Sequence, residues 1–104
     1  MSQQEPTSNG TFQSGVLAGK RGLILGVANN RSIAWGIAKA ARDAGAELAL
    51  TYQVEALEKR VRPLAQELGA HVAGRCDVSE PETIDAVFAE VERLWGRIDF
   101  VVHC

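Results

Sequence analysis

Gly22-Leu23-Ile24-Leu25-Gly26-Val27-Ala28-Asn29-Asn30-Arg31-Ser32-Ile33-Ala34 is the stretch that decides the fold. Its first part is a short bulky apolar run of strand length. From Ser32 to Ala44 the pattern turns helical, and Gly45 follows as a stop signal. Strand, turn and helix are therefore joined by a turn from Gly26 to Ser32. Outward from it, three more strand-like runs begin near positions 47 (ELALTY), 71 (HVAGRC) and 98 (IDFVVHC). Helix-period segments lie between them at Val54 to Leu68 and Glu80 to Trp95. This β-α-β-α-β-α-β alternation predicts right-handed crossovers and a parallel sheet of order 3-2-1-4.

The helical segments carry the faces such a sheet requires. Ile84, Val87, Phe88, Val91, Leu94 and Trp95 form one apolar stripe. Ser79 and Glu82 have capping-box spacing, with Pro81 in the first turn. The second segment keeps Leu57, Val61, Leu64 and Leu68 on one face. It contains Pro63, which predicts a kink over 59–63. Gly45 and Gly69 mark the ends of the first two helices.

Residues 1–15 are rich in Ser, Gln, Thr, Asn and Gly and are expected to form a flexible tail, with the domain spanning 16–104. The 104 residues suit one core, with 46% hydrophobic and 23% charged residues. Eleven Lys and Arg against 13 Asp and Glu leave a net charge of −2, without the cationic excess that a nucleic-acid or anionic membrane partner selects. The longest apolar run, Leu23 to Ala28, is far below the roughly 18 residues of a membrane span. No signal-peptide pattern opens the chain. Cys76 and Cys104 show neither disulfide-framework nor zinc spacing, which suits a reducing cytoplasm with both thiols acting as small buried hydrophobes.

The first βα turn of a parallel sheet is where such folds hold a phosphate. Gly26 permits a tight turn and close backbone approach, while Ser32 and Ile33 offer N–H groups and a hydroxyl at a helix start. Taken alone, Ser32 serves equally well as an N-cap and Gly26 as a turn residue.

The segments GKRGLILGVANNRSIAWGIAKA, AELALTYQ, CDV and FVVHC, in that order, resemble the N-terminal part of bacterial NADH-dependent enoyl-acyl-carrier-protein reductases, a divergent branch of the short-chain dehydrogenases. In that branch the usual glycine-rich turn becomes G-x-x-x-x-x-S-I-A, matched here from Gly26 to Ala34, with Asn30 and Ser32 standing where ordinary members have glycines. Gly22 and Gly26 mimic the ordinary glycine spacing, but the first of them lies within the strand. The resemblance covers residues 16 to 104. It implies a three-layer, Rossmann-like doubly wound sheet of which only the N-terminal half is present, so the strand starting near 98 is expected to leave an unpaired apolar edge, and these residues alone to aggregate.

The resemblance further implies that Gly26, Ser32 and Ile33 line the pyrophosphate of NAD, that Gln53 contacts the adenosine side, and that Asp77 and Val78 bracket the adenine. A carboxylate can accept from the adenine amino group while the next backbone N–H donates to a ring nitrogen. Gln53 offers neither the acid that accepts a ribose 2′-hydroxyl nor the arginine that pairs a 2′-phosphate. The nearest cation along the chain, Lys59, lies beyond it in the following helix, which favours NADH over NADPH. Tyr52 and Lys59 share the spacing of the catalytic pair of short-chain dehydrogenases. They fall at the adenosine end rather than after a fifth strand, so no catalytic residue is assigned, and His103 is given no proton transfer. The implied activity is reduction of the 2,3 double bond of an enoyl thioester on acyl carrier protein by a cytoplasmic homotetramer. A standard short-chain ketoreductase and a non-catalytic dinucleotide-binding module are the alternatives.

Overall fold

The computed structural model describes residues 15–103. Residues 1–14 of the expected tail, and Cys104, lie outside them. The elements are β1 (Arg21–Leu25), α1 (Ile33–Asp43), β2 (Glu47–Tyr52), α2 (Glu58–Leu68), β3 (His71–Arg75), α3 (Pro81–Trp95) and β4 (Phe100–His103), with a 3-10 turn at Glu55–Leu57 ahead of α2. The strands form a sheet of order β3-β2-β1-β4, and every pairing is parallel, as the alternation predicts.

The sheet buries apolar residues on both faces, because helices cover both. On one side Ile24, Leu48 and Leu50 pack against Ala34, Ala38 and Ala41 of α1 and Val61 and Ala65 of α2. The alanines let α1 approach the sheet closely. On the other side Leu23, Ala49 and Ala73 meet Val87 and Val91 of α3. Each fully buried Leu or Ile contributes about 2 kcal/mol of transfer free energy, so these two cores hold the three layers together. The apolar stripe of α3 is only partly covered: Val87 and Val91 are buried, whereas Phe88 is 41% exposed. Val101 of β4, at 47%, is likewise exposed.

Local chemistry sets the element ends. Gly45, at φ +105°, and Gly69, at φ +67°, take the left-handed conformation that closes α1 and α2. Pro63 stands exposed inside α2, which runs unbroken over Glu58–Leu68, and the 3-10 turn at Glu55–Leu57 leads into it. The Ser79–Glu82 capping box does not form. Pro81 occupies the first helical position, which makes Glu80 the N-cap, without a side-chain capping bond, and leaves Ser79 outside the helix. Ser79 instead bonds to the Asp77 carboxylate.

Candidate functional site

The order β3-β2-β1-β4 reverses direction between β1 and β4, the position at which doubly wound sheets open a crevice at the carboxyl ends of their strands. A cleft of about 100 Å³ lies there, lined by Leu25, Gly26, Gln53, Cys76, Val78 and His103. Its rim is stitched across the strands. The Val27 N–H donates to the Thr51 carbonyl at 3.0 Å, and the Cys76 N–H to the Tyr52 carbonyl at 2.8 Å. Fully buried Thr51 adds a side-chain staple, its hydroxyl accepting from the Gly26 N–H at 3.3 Å and donating to the Ile24 carbonyl at 3.4 Å.

Gly26 leaves β1 with φ +86°, a conformation that only glycine adopts without strain. Asn29 shapes the rest of the turn by accepting from the Arg31 N–H through Oδ1 at 2.8 Å. Ser32 is the N-cap of α1: its Oγ accepts from the Trp35 N–H at 3.2 Å and donates to the Asn29 carbonyl at 2.9 Å. The hydroxyl proton is thus committed within the turn. Among the described residues the Ile33 and Ala34 N–H groups have no acceptor, so the anion-binding capacity of this helix start resides in backbone donors. The Ile33 side chain is 76% exposed among the described residues.

On the opposite rim the Asp77 loop is organised by Thr83. The Thr83 hydroxyl accepts from the Asp77 N–H at 2.9 Å and donates to the Glu80 carbonyl at 2.7 Å. Asp77 Oδ1 accepts from both the amide and the hydroxyl of Ser79, which holds its carboxyl below the usual carboxylate range. Because its native pKa lies below the unfolded value, ionised Asp77 favours the folded loop above the ordinary carboxylate range and loses that contribution as the pH falls through the native value. Ser79→Ala is expected to move the Asp77 carboxyl back up, as followed by carboxyl-carbon NMR titration; an unmoved titration would remove Ser79 from this role. The Val78 N–H has no acceptor among the described residues. Cys76 is buried, and burial first and Asp77 second push its thiol up, which keeps it inert.

The cleft brings together Gly26, Gln53 and Val78; Asp77 directly precedes Val78, whereas Ser32 and Ile33, the N-cap and first residue of α1, are not among its lining residues. Tyr52 is buried beneath, its phenol pushed up by burial and by Glu58 and Glu55, while Lys59 points outward on α2. Sequence reasoning misses Thr51 and Thr83, whose roles depend on neighbours across the fold, and it does not see a cation that the sheet brings to the end of β2. Arg75 pairs with Tyr52 across the β2–β3 ladder and so stands beside the end of β2.

A three-layer parallel sheet with its cleft at the β1–β4 reversal defines the Rossmann-like class of doubly wound α/β domains. Within it, residues 26–104 match the family model described as enoyl-(acyl carrier protein) reductase, and the chain belongs to that family. It is 70% identical over 90 residues to the enoyl-[acyl-carrier-protein] reductase [NADH] 1 of Rhizobium meliloti, a match covering 86% of this chain and 33% of the relative. The enoyl-[acyl-carrier-protein] reductase [NADH] FabI of Rickettsia bellii is 56% identical over 90 residues. The crystal structure of the Anaplasma phagocytophilum reductase in complex with NAD superposes with TM-score 0.79 at 47% identity, covering 88% of this chain and 35% of that one. The NADH reductase of Aquifex aeolicus gives 0.82 at 50% identity, covering 86% and 35%. The chain thus spans about a third of the length of the relatives it matches.

Proposed function

We propose that the full-length protein is an NADH-dependent enoyl-acyl-carrier-protein reductase acting on the 2,3 double bond of enoyl thioesters, and that residues 16–104 are its cofactor-binding half. The observation that carries the reading is the family match over 26–104, which starts at the first residue of the phosphate turn. The unpartnered N–H groups of Ile33, Ala34 and Val78 and the side-chain-free Gly26 fit a dinucleotide. In this reading Gly26 and the Ser32–Ile33 helix start receive the pyrophosphate, Gln53 faces the adenosine ribose, and Asp77 with the Val78 N–H brackets the adenine. When bound, the cofactor supplies the hydride; these residues fix its position and orientation. The assembly is a homotetramer in the cytoplasm, which light scattering and cell fractionation check.

Turnover with an enoyl thioester of acyl carrier protein and NADH tests the activity. Reduction of a 3-oxoacyl thioester instead would make the protein a ketoreductase, and NADH binding without turnover of either would make it a binding module. Neutral Gln53 at the ribose end selects NADH. Gln53→Arg is expected to tighten NADPH by at least about 1.5 kcal/mol through a charge-assisted bond to the 2′-phosphate. Titration of both cofactors checks this, and tighter binding of NADPH than NADH by the wild type would refute the preference.

A further inference from the structure

The end of β3 holds a cation that the expected adenosine subsite does not use. Arg75 pairs with Tyr52 across the ladder, one residue before Gln53, and the following Cys76 amide bonds to the Tyr52 carbonyl. Its guanidinium is taken by carboxylates. Nη2 and Nη1 donate to the two oxygens of Glu80 at 3.0 and 3.5 Å, and Nε lies 4.0 Å from Glu55, which sits two residues beyond Gln53. The Arg75 side chain is only 27% exposed, whereas Glu55 is 72% exposed.

We propose that Glu55 and Glu80 set cofactor choice by cancelling the charge of Arg75, which is a latent 2′-phosphate ligand beside Gln53. The inference rests on the dinucleotide reading above and deepens it. An arginine at the ribose end of such a cleft ordinarily admits the 2′-phosphate. Here both prongs of the fork are committed to Glu80, and planar bidentate pairing is the same geometry that a phosphate would need. A phosphate dianion would have to displace one carboxylate and approach a second, with Asp77 close behind. The 2′-hydroxyl of NADH carries no charge and meets no such barrier. NADPH is therefore disfavoured by an occupied cation as well as by the neutral side chain of Gln53.

Glu55 and Glu80 are 72% and 43% exposed, and ion pairs to surface carboxylates contribute at most about 1 kcal/mol to stability, so neutralising the carboxylates leaves the fold in place. Glu80 caps α3 through its backbone alone, so Gln is tolerated at this position. The experiment is titration of NADH and NADPH into the full-length protein as wild type, as Glu55→Gln, as Glu55→Gln/Glu80→Gln, and as that double variant with Arg75→Gln. The double variant is expected to bind NADPH about tenfold more tightly or better, the lower range of a charge-assisted bond, with NADH affinity held within about threefold. Glu55→Gln should show part of the gain, and Arg75→Gln should abolish it. An unchanged NADPH affinity beside normal NADH binding overturns this proposal alone, as does a gain that survives Arg75→Gln. Failure of the wild type to bind either nucleotide overturns the dinucleotide reading, and this proposal with it.

Discussion

Gly22→Val is expected to destabilise the protein by about 2–4 kcal/mol, the combined effect of overpacking and a displaced aromatic ring. Gly22 is buried in β1 opposite Phe100 of β4. A Cβ there would stand 2.2 Å from Cε2 and Cζ of the Phe100 ring and 2.8 Å from Cε1, far inside contact distance. The ring cannot stay. It must leave its place against the core on the α1 side, giving up its burial and loosening the strand that forms one wall of the cleft. Urea unfolding of the full-length protein measures the loss. Phe100→Ala is destabilising by itself, but it removes the obstacle, so the double variant should be more stable than the sum of the two losses predicts by at least about 0.5 kcal/mol. Strict additivity would show that the ring is not what excludes a side chain at position 22. This glycine therefore serves packing, and its spacing from Gly26 does not make it part of a phosphate turn.

That distinction marks how far the sequence is legible. Strands and helices are readable because their signals are local: the alternation of apolar runs, the 3.6-residue period of α3, and the glycines that close α1 and α2. The order of the strands follows from handedness rules with little freedom left. The Gly26–Ser32 turn between β1 and α1 is readable because its residue types lie next to one another in the chain. What escapes depends on partners distant in sequence. Thr51 becomes a staple only because β2 ends beside Gly26, a contact across 25 residues. Arg75 stands opposite Tyr52, one residue before Gln53, only through the β2–β3 register, which is interrupted between Leu50 and Thr51, so counting along the chain finds Lys59 instead. The capping box at Ser79 fails for a local reason that a spacing rule does not weigh: Pro81 fixes the first helical residue and moves the cap to Glu80. Ser79 is then released to donate through its amide and hydroxyl to the Asp77 carboxylate.

Gly26→Val should weaken NADH binding about 100-fold, or about 2.7 kcal/mol, because it acts on the turn in two ways at once. At φ +86° a β-branched residue is strained by at least about 1–2 kcal/mol. The backbone can relieve that strain only by rotating away. Rotation would break the Gly26 N–H bond to Thr51 Oγ1 and the Val27 N–H bond to the Thr51 carbonyl, and these bonds hold the turn against β2. If the backbone instead holds its conformation, the isopropyl group occupies the cleft that Gly26 lines, where the proposed reading sets the pyrophosphate against the helix start. Thr51→Val separates the two effects. It leaves the Gly26 N–H buried without its hydroxyl acceptor but puts no atom into the cleft, so a smaller loss, about tenfold, is expected, in line with one unsatisfied buried donor. Isothermal titration of both variants, with unfolding curves to confirm that each is folded, gives the comparison. NADH affinity for Gly26→Val within about threefold of wild type, roughly the 0.6 kcal/mol expected of a neutral surface change, would mean that the pyrophosphate does not pass over this glycine. The ordering of the two variants also decides which contribution dominates. A larger loss for Thr51→Val would place the affinity in the shape of the turn, whereas the expected order places it in the open space above Gly26.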